Sequence, residues 1–293
     1  MKRCLFPSLT LCLFAVLLLN SCQKEPEDDP NGTVTPTDST GTVTPTDSTG
    51  LDPLDDSVIF NMPIGTVIPD VVADIDGNLY DGVVIGHHLW MVQNLMTTRY
   101  ANGDPIMQGG QGDTSRFVPY RYVPDCGTAD VAIYGYLYNW PAVMHGEPGS
   151  SENPSGVQGI CPDGWHVPSD AEFVELANTI SSHPEYVFGD DIRQIDKSIA
   201  SEFWWHSSGY ANSCGNNQQL NNATHFGMIP AGSGPFGSPG GVGLGYFAHL
   251  WSCTPSNKTQ ARIRYMNHQS ARAFHCGADY DPFYSFSVRC ARD

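Results

Sequence analysis

The chain contains 293 residues, enough for one large domain or two small ones, and only 15% of them are charged. Glycine (30 residues), proline (22 residues) and aromatic residues (11%) are abundant, which favours a loop-rich domain over a helical bundle. The formal net charge of −17 argues against a nucleic-acid partner, because phosphate binding needs clustered lysine and arginine.

The first residues predict a signal for export. Lys2 and Arg3 precede an apolar run over residues 5–19, which is typical of a signal peptide. The run ends in Leu-Leu-Leu-Asn-Ser-Cys, which resembles the lipobox of bacterial lipoproteins, so residues 1–21 are expected to be removed and Cys22 to carry the lipid. Acyl chains at Cys22 would attach the protein to a membrane by burying methylenes in the bilayer. An ordinary secretory peptide with an incidental cysteine is the alternative.

Residues 22–60 predict a disordered linker between the lipid and a folded domain. After Cys22, nine acidic residues face a single lysine, which gives this segment a net charge of −8. The nine-residue sequence GTVTPTDST occurs twice in succession, at 32–40 and at 41–49. Such a tract has almost nothing to bury and is expected to stay extended, spacing the domain from the membrane.

Two patterns in this linker refine the expected location. The acidic run at 25–29 resembles the surface-export signal of Bacteroidetes lipoproteins, which implies an outer-membrane lipoprotein exposed at the cell surface. Three Asp-Ser-Thr or Asp-Ser-Val triplets resemble the O-glycosylation motif of the same phylum and imply sugars on Ser39, Ser48 and Ser57. A solvated linker without sugar is the alternative.

The cysteines predict disulfides rather than a metal site. Loss of Lys2 and Arg3 with residues 1–21 would change the net charge from −17 to −19, and it would leave six cysteines besides Cys22. These six are Cys126, Cys161, Cys214, Cys253, Cys276 and Cys290. An even number in an exported protein indicates up to three disulfides, with 15 connectivities left open. Zinc is the competing interpretation, but no C-x-x-C or H-x-E-x-x-H spacing supports it, so no metal ligand is predicted.

The folded domain is expected to occupy residues 61–293 and to begin with a hairpin. Residues 71–85 predict two strands around an Asp-Gly-Asn turn. Asp74, Asp76 and Asn78 also match the start of a calcium loop, yet the glycine at the fourth position and the missing later glutamate argue against an EF-hand. Structural calcium therefore remains a minor alternative, and no other cofactor is predicted.

The next segment, residues 85–95, is apolar and aromatic and is expected to enter the core. His87 and His88 are neighbours within it, so in a strand they would point to opposite faces and could not easily bind one metal ion. We interpret them as surface or hydrogen-bonded histidines. Residues 101–130 predict a long surface excursion, and residues 134–140 predict a packed aromatic element.

The clearest helix follows residues 159–169. Ser169 suits the N-cap position and Glu172 the third helical position, which together form a capping box. Apolar residues then recur at i, i+3, i+4 and i+7, which predicts one buried face formed by Phe173, Leu176, Ala177 and Ile180. Cys161 and Trp165 are interpreted as structural residues, and His166 as a buried, hydrogen-bonded histidine, with a ligand contact as the alternative.

Further elements are predicted toward the end of the chain. Residues 190–200 indicate a second helix with Ile192, Ile195 and Ile199 on one face. Residues 261–266 and 286–290 alternate with period two, which predicts two late strands.

Several motifs in this order are similar to those of one family. They are Asp-Ile-Asp-Gly-Asn-Leu-Tyr at 74–80, Trp-Met at 90–91, Tyr-Asn-Trp at 138–140, Cys-Pro-Asp-Gly-Trp-His-Val-Pro-Ser at 161–169, Ile-Pro-Ala-Gly at 229–232, Trp-Ser at 251–252 and Phe-Ser-Val-Arg-Cys at 286–290. Residues 70–293 thereby resemble the Fibrobacter succinogenes major paralogous domain of exported Bacteroidetes and Fibrobacteres proteins. That family in turn resembles the C-type lectin-like fold of formylglycine-generating and sulfatase-modifying proteins.

The resemblance implies an architecture and a disulfide pattern. The fold class is α+β, C-type lectin-like and loop-rich, with short antiparallel strands, two helices and disulfides. In lectin-like domains a cysteine beside the first helix pairs with one in the last strand, which implies Cys161–Cys290. Cys253–Cys276 and Cys126–Cys214 would be the pairs that remain.

The resemblance also implies a function. It favours a non-enzymatic surface module that binds a glycan or a protein through the loop region at about 203–250. The aromatic candidates for contact with the ligand are Trp204, Trp205, Tyr210, Phe236 and Tyr246. The chain lacks, at the expected place, the Glu-Pro-Asn and Trp-Asn-Asp signatures of calcium-dependent lectins.

Two alternatives to this binding module stay open. One is a structural component of a surface assembly. The other, less favoured, is an enzyme of the formylglycine-generating type, which needs two closely spaced reactive cysteines. Cys276 and Cys290 stand fourteen residues apart, and Cys290 is assigned to Cys161, so no catalytic residue is predicted.

Overall fold

A computed structural model describes residues 56–110, 112–234 and 243–293. They belong to one compact unit that extends from Leu51 to Asp293. The predicted signal peptide, Cys22, Ser39, Ser48 and Phe236 lie outside the described residues. Within those three ranges, no helix has both the length and the hydropathy needed to cross a bilayer.

The secondary structure consists of short elements joined by long loops. The strands are β1 (Val67–Ala73), β2 (Leu79–Ile85), β3 (His88–Met91), β4 (Met107–Gln108), β5 (Tyr120–Tyr122), β6 (Leu137–Asn139), β7 (Phe247–Pro255), β8 (Ala261–Asn267), β9 (Ala278–Tyr280), β10 (Ser285–Phe286) and β11 (Ala291–Arg292). The α-helices are α1 (Asp56–Ile59), α2 (Pro124–Gly127), α3 (Val131–Tyr134), α4 (Trp140–Met144), α5 (Asp170–Ser181) and α6 (Asp196–Ile199). Single 3₁₀ turns lie at Pro184–Tyr186, Gln218–Leu220 and Ala273–His275.

Three small sheets organise these elements. Their strand orders are β1-β2-β3-β11, β10-β6-β5-β4 and β7-β8-β9. Every strand pair is antiparallel except β4 and β5. The architecture is therefore mixed α and β with short, mostly antiparallel strands, as the sequence predicts at this coarse level.

The predicted hairpin at 71–85 is confirmed as β1 and β2. Both carboxylate oxygens of Asp74 accept hydrogen bonds from within the hairpin, including 2.9 Å from the Asp76 N–H and 2.6 Å from the Tyr80 hydroxyl. The Asp76 carboxylate instead pairs with Arg99 at 2.7 Å. The hydrogen bonds to Asp74 stabilise the turn between β1 and β2, as the predicted hairpin requires.

Helix α5 matches its prediction closely. The Ser169 hydroxyl accepts from the Glu172 N–H at 3.2 Å, while the Glu172 carboxylate accepts from the Ser169 N–H at 2.7 Å. This reciprocal capping box satisfies two N–H groups that would otherwise lack partners at the helix start. The four apolar residues of the predicted face are all buried: Phe173, Leu176, Ala177 and Ile180.

The second predicted helix is much shorter than expected. Only α6 is helical, and Ile192 is 67% exposed, whereas Ile195 and Ile199 are buried. The Asp191 carboxylate accepts from the Arg193 N–H at 3.0 Å. This bond suits a helix start, but the turn is not continued, because the Ile195 N–H donates to the Arg193 carbonyl at 2.9 Å rather than to the Asp191 carbonyl four residues earlier.

The late strand predicted at 286–290 is divided. It belongs to β10 only up to Phe286, and the following residues bond to different partners in turn. The Ser287 carbonyl accepts from Trp251 at 3.1 Å, whereas the Val288 carbonyl accepts from Leu95 at 2.9 Å. The alternating apolar pattern therefore reflects a segment that runs between elements rather than one continuous strand.

The packed region begins earlier than the predicted boundary at residue 61. Helix α1 includes Ser57, and Ile59 is fully buried against the larger core cluster. The predicted linker of residues 22–60 is thus too long at its end, because Ile59 and Phe60 provide apolar surface that the domain covers.

The disulfide that the family resemblance implies, Cys161–Cys290, is present, with Cα atoms 5.9 Å apart. The other two implied pairs are wrong, because Cys214, Cys253 and Cys276 are free thiols. Cys253 lies in β7 and Cys276 just before β9, with β8 between those strands. Two strand spacings amount to about 10 Å, which exceeds the Cα separation that a disulfide spans. Cys214 instead directs its thiol to the Asn267 carbonyl, so Cys126–Cys214 does not form.

Candidate ligand-binding cleft

An open cleft of about 430 Å³ lies between helix α4 and two loops that precede it. Its lining combines aromatic rings with charged side chains. The lining residues are Tyr100, Asp104, Arg116, Phe117, Pro119, Trp140, Pro141, Met144, His145, Gly146 and Glu147. Concave sites with several ring faces and a few polar groups are the usual form of small-ligand sites.

Asn139 positions one wall of the cleft. Its side-chain oxygen caps α4 by accepting from the Ala142 N–H at 3.2 Å, and it also accepts from the Tyr120 N–H at 2.8 Å. Its amide nitrogen donates to the carbonyls of Ser115 and Val118, at 3.1 and 2.8 Å. One buried side chain therefore fixes the loop that carries Arg116 and Phe117 against the start of α4.

Tyr100 and His145 form the floor on the other side. Their rings stack with centroids 3.6 Å apart and an angle of 9° between the planes. His145 ends α4 in the left-handed conformation, with φ of 49°, which turns its ring back toward Tyr100. The Tyr100 hydroxyl is buried and has no hydrogen-bond partner within the part of the chain that the structure describes. Burial raises the pKa of Tyr100, helped by the nearby Asp104 charge, so the hydroxyl stays protonated.

The charged residues of the cleft are partly engaged within the protein. The Arg116 guanidinium forms a two-bond ion pair with the Asp281 carboxylate, in which Nε and Oδ1 are 2.9 Å apart. One oxygen of Glu147 accepts from the Gly159 N–H at 2.7 Å. These contacts fix the orientation of each side chain, so the binding of a ligand would cost less side-chain conformational entropy.

Phe117 is the most exposed apolar side chain of the cleft, at 89%. Trp140 is half-buried, and its indole N–H donates to the Ser252 carbonyl at 3.1 Å, which holds its ring in one orientation. Ring faces such as these take up apolar surface of a ligand, while Asp104, Arg116 and Glu147 offer acceptors and donors at the rim. The arrangement suits the binding of a neutral, hydroxyl-rich molecule.

Four of the five ligand residues predicted from the sequence lie outside this cleft, and Phe236 falls outside the described residues. Trp204, Tyr210 and Tyr246 are exposed, as a contact surface requires. Trp205 is buried in a hydrophobic core cluster together with Phe226 and Met228, so its assignment as a contact residue is wrong. The Tyr246 ring stacks on His206 at 3.8 Å. None of these residues lines the cleft.

A second cluster could hold a metal ion. His88, His166, Glu172 and Asp293 each offer one ligand atom, and those atoms lie within 4.8 Å of one another. His88 and His166 are both buried, in agreement with the sequence interpretation of His166, whereas His87 is exposed and pairs with Glu175 at 2.8 Å.

Sequence reasoning missed the cleft because its residues come from separate segments. The long loop predicted at 101–130 was the available signal, since ordered long loops often carry binding residues. Trp140 belonged to a segment interpreted as core, and its half-exposed ring follows only from the position of α4.

The described residues thus define a loop-rich α+β domain with one disulfide and an open, aromatic-lined cleft. The model of the Fibrobacter succinogenes major domain matches residues 83–292, and the chain belongs to that family. The match includes the disulfide, α5 and the whole cleft. No curated protein and no solved structure matches the chain.

Proposed function

We propose that this protein is a cell-surface lipoprotein whose family domain binds a glycan without catalysing a reaction. The observation that carries the proposal is the cleft between α4 and the loops at Tyr100 and Phe117. It combines fixed ring faces with acidic and basic side chains around one open volume.

The chemistry of the cleft favours a sugar over other small ligands. The C–H faces of a pyranose pack against aromatic rings, and its hydroxyls both donate and accept hydrogen bonds. Phe117 and Trp140 provide the rings, and Asp104 and Glu147 accept hydrogen bonds from the hydroxyls. An anionic ligand fits less well, because the basic group in the lining, Arg116, is already paired with Asp281.

The surface location is part of the proposal and rests on the sequence. The apolar leader, Cys22 and the acidic run after it resemble an exported outer-membrane lipoprotein. The repeated Thr/Pro/Asp tract would then space the domain from the membrane, where its cleft can reach an extended ligand.

Absence of catalysis is likewise proposed from the cysteines. An enzyme of the formylglycine-generating type would need two reactive cysteines close together near the end of the domain. Cys290 is joined to Cys161, which leaves Cys276 without the partner that such chemistry requires.

A second candidate function is assembly with another surface protein. Several exposed apolar side chains in the segment 203–220 favour it, because apolar surface of this kind often marks protein contacts. They are Phe203, Trp204, Tyr210 and Leu220.

A glycan array separates the two functions. We expect the purified protein to bind a defined set of glycans, and a Trp204→Ala variant to bind the same set, because Trp204 lies outside the cleft. The array is run with and without calcium, which also tests the minor alternative of a calcium site. Binding to no glycan, together with stable co-purification of a surface complex that Trp204→Ala disrupts, would contradict glycan binding and support assembly.

A further inference from the structure

The cluster of His88, His166, Glu172 and Asp293 brings together parts of the chain that are far apart in sequence. His88 begins β3, His166 precedes α5, Glu172 lies in the first turn of α5, and Asp293 follows β11. The backbone supports this meeting, because His166 and Ala291 exchange two hydrogen bonds of 2.9 Å. His88 and Glu172 are thus held by regular structure and His166 by a backbone bridge, while Asp293 directly follows a strand.

The ring nitrogens of His88 are buried without satisfactory hydrogen bonds. The side chain is 2% exposed, and neither ring nitrogen forms a hydrogen bond of acceptable geometry with the described residues. Nevertheless Nδ1 lies 2.7 Å from an Asp293 oxygen and 3.9 Å from a Glu172 oxygen. Buried polar atoms normally have hydrogen-bond partners, so a ring nitrogen that faces two carboxylates without a well-aligned hydrogen bond to either favours a positive ion shared by these groups.

Glu172 presents one oxygen to the same point. Its Oε2 accepts from the backbone N–H groups of Ser169 and Ser155, at 2.7 and 3.2 Å. Oε1 faces the cluster, 2.5 Å from His166 Nε2. The capping box thus has a second consequence, since it fixes the carboxylate so that one oxygen is directed at the two histidines.

An outer carboxylate completes the arrangement. The Nε2 atom of His88 lies 3.5 Å from Glu175, which is itself held by the Asn153 amide at 2.6 Å and by His87. Histidine ligands of metal ions commonly face such a carboxylate on the nitrogen that does not bind the metal, which orients the ring.

We propose that His88, His166, Glu172 and Asp293 form a binding site for a divalent transition-metal ion of the zinc class. Two imidazoles and two carboxylates form a donor set of intermediate softness, which suits zinc and similar ions, whereas calcium and magnesium prefer oxygen ligands alone. A tetrahedral ion with bonds near 2.0–2.1 Å separates its ligand atoms by about 3.4 Å. Three of the facing pairs are 2.5, 2.7 and 3.9 Å apart, and all four ligand atoms lie within 4.8 Å of one another, so small side-chain movements would bring them to that spacing.

The role of such an ion would be structural. Four protein ligands leave no open coordination position, in contrast to catalytic zinc sites. The ion would join Asp293 to β3 and to α5, three residues after Cys290 of the disulfide. Sequence spacing could not reveal this site, because its ligands stand 78, 6 and 121 residues apart.

Zinc titration of the purified, chelator-treated protein tests the site. We expect calorimetry to give one tightly bound Zn²⁺ per chain, a higher melting temperature with Zn²⁺, and the visible absorption of tetrahedral Co²⁺ when cobalt replaces zinc. Asp293→Asn removes a ligand whose side chain is 44% exposed, so the fold should persist while zinc affinity falls at least about tenfold. His88→Gln is expected to abolish the tight site.

The matched control is His183→Gln, because His183 lies beyond the opposite end of α5 and pairs only with Glu185 in the described structure. Its zinc affinity should equal that of the wild type. The proposal is overturned if the wild type binds no zinc tightly, or if Asp293→Asn and His183→Gln bind it equally well. Circular dichroism of His88→Gln shows whether that variant has lost only the site or the whole fold. If it does not fold, the zinc affinity of Asp293→Asn alone tests the proposal.

Discussion

Removing the disulfide between Cys161 and Cys290 should cost a large part of the stability of the domain. The bond closes a loop with a sequence separation of 129 residues. The chain-entropy model gives about 5 kcal/mol at 25 °C for a loop of this length, and measured losses from native disulfides are roughly 2–5 kcal/mol. Since domains of this kind have about 5–15 kcal/mol in total, the double variant C161A/C290A should unfold at a much lower urea concentration.

The assay is urea unfolding of C161A/C290A, followed by circular dichroism at one protein concentration. The control is C276A, because Cys276 is an exposed free thiol whose removal should change the free energy of unfolding by less than about 0.5 kcal/mol. Peptide mapping without reduction supplies the connectivity. A loss below about 1 kcal/mol in C161A/C290A, or a mapped bond from Cys161 to another cysteine, would refute the reasoning.

Two further perturbations test the local chemistry of the fold. Ser169→Ala removes the acceptor of the Glu172 N–H and should lower the free energy of unfolding by about 1 kcal/mol, whereas Ser182→Ala at the other end of α5 should cost less. Burial lowers the pKa of His249 to about 4, against 6.5 when unfolded, so stability falls as the pH drops from 6.5 toward 4, because only the unfolded chain gains the proton. His249→Gln should therefore reduce the loss of stability between pH 7 and pH 5 by about 2 kcal/mol, measured by urea unfolding at both pH values. Equal costs in the two serine variants, or an unchanged pH dependence in His249→Gln, would contradict these expectations.

Local signals made helix α5 predictable from the sequence. Its capping box and its apolar face both lie within the twelve residues from Ser169 to Ile180, and the structure forms both. The same kind of signal failed at residues 190–195, because the spacing of three isoleucines does not show that the Ile195 N–H bonds to the Arg193 carbonyl instead of continuing a helix. Hydrophobic periodicity indicates which residues can be buried together, but not which backbone hydrogen bonds form locally.

The candidate sites lay beyond such local signals. Tyr100, Phe117 and Trp140 meet only because Asn139 ties a loop to the start of α4. His88 was predicted to be a surface or hydrogen-bonded histidine from its neighbour in sequence, yet the fold buries it against Glu172. Sites formed by residues from distant segments can be recognised only in the tertiary structure, because the spacing of residues in the sequence does not show which segments come together.

The binding affinity of Phe117→Ala for a glycan identified on the array tests the central claim most directly. Phe117 is 89% exposed, so its removal should leave the fold intact while a ring face of the cleft is lost. We expect calorimetry to give a Kd raised by about tenfold, which corresponds to the roughly 1.4 kcal/mol that an aromatic contact provides. Ile192→Ala, which removes another exposed apolar side chain that lies outside the cleft, should bind like the wild type. Equal affinities of Phe117→Ala and the wild type would show that the ligand does not occupy this cleft.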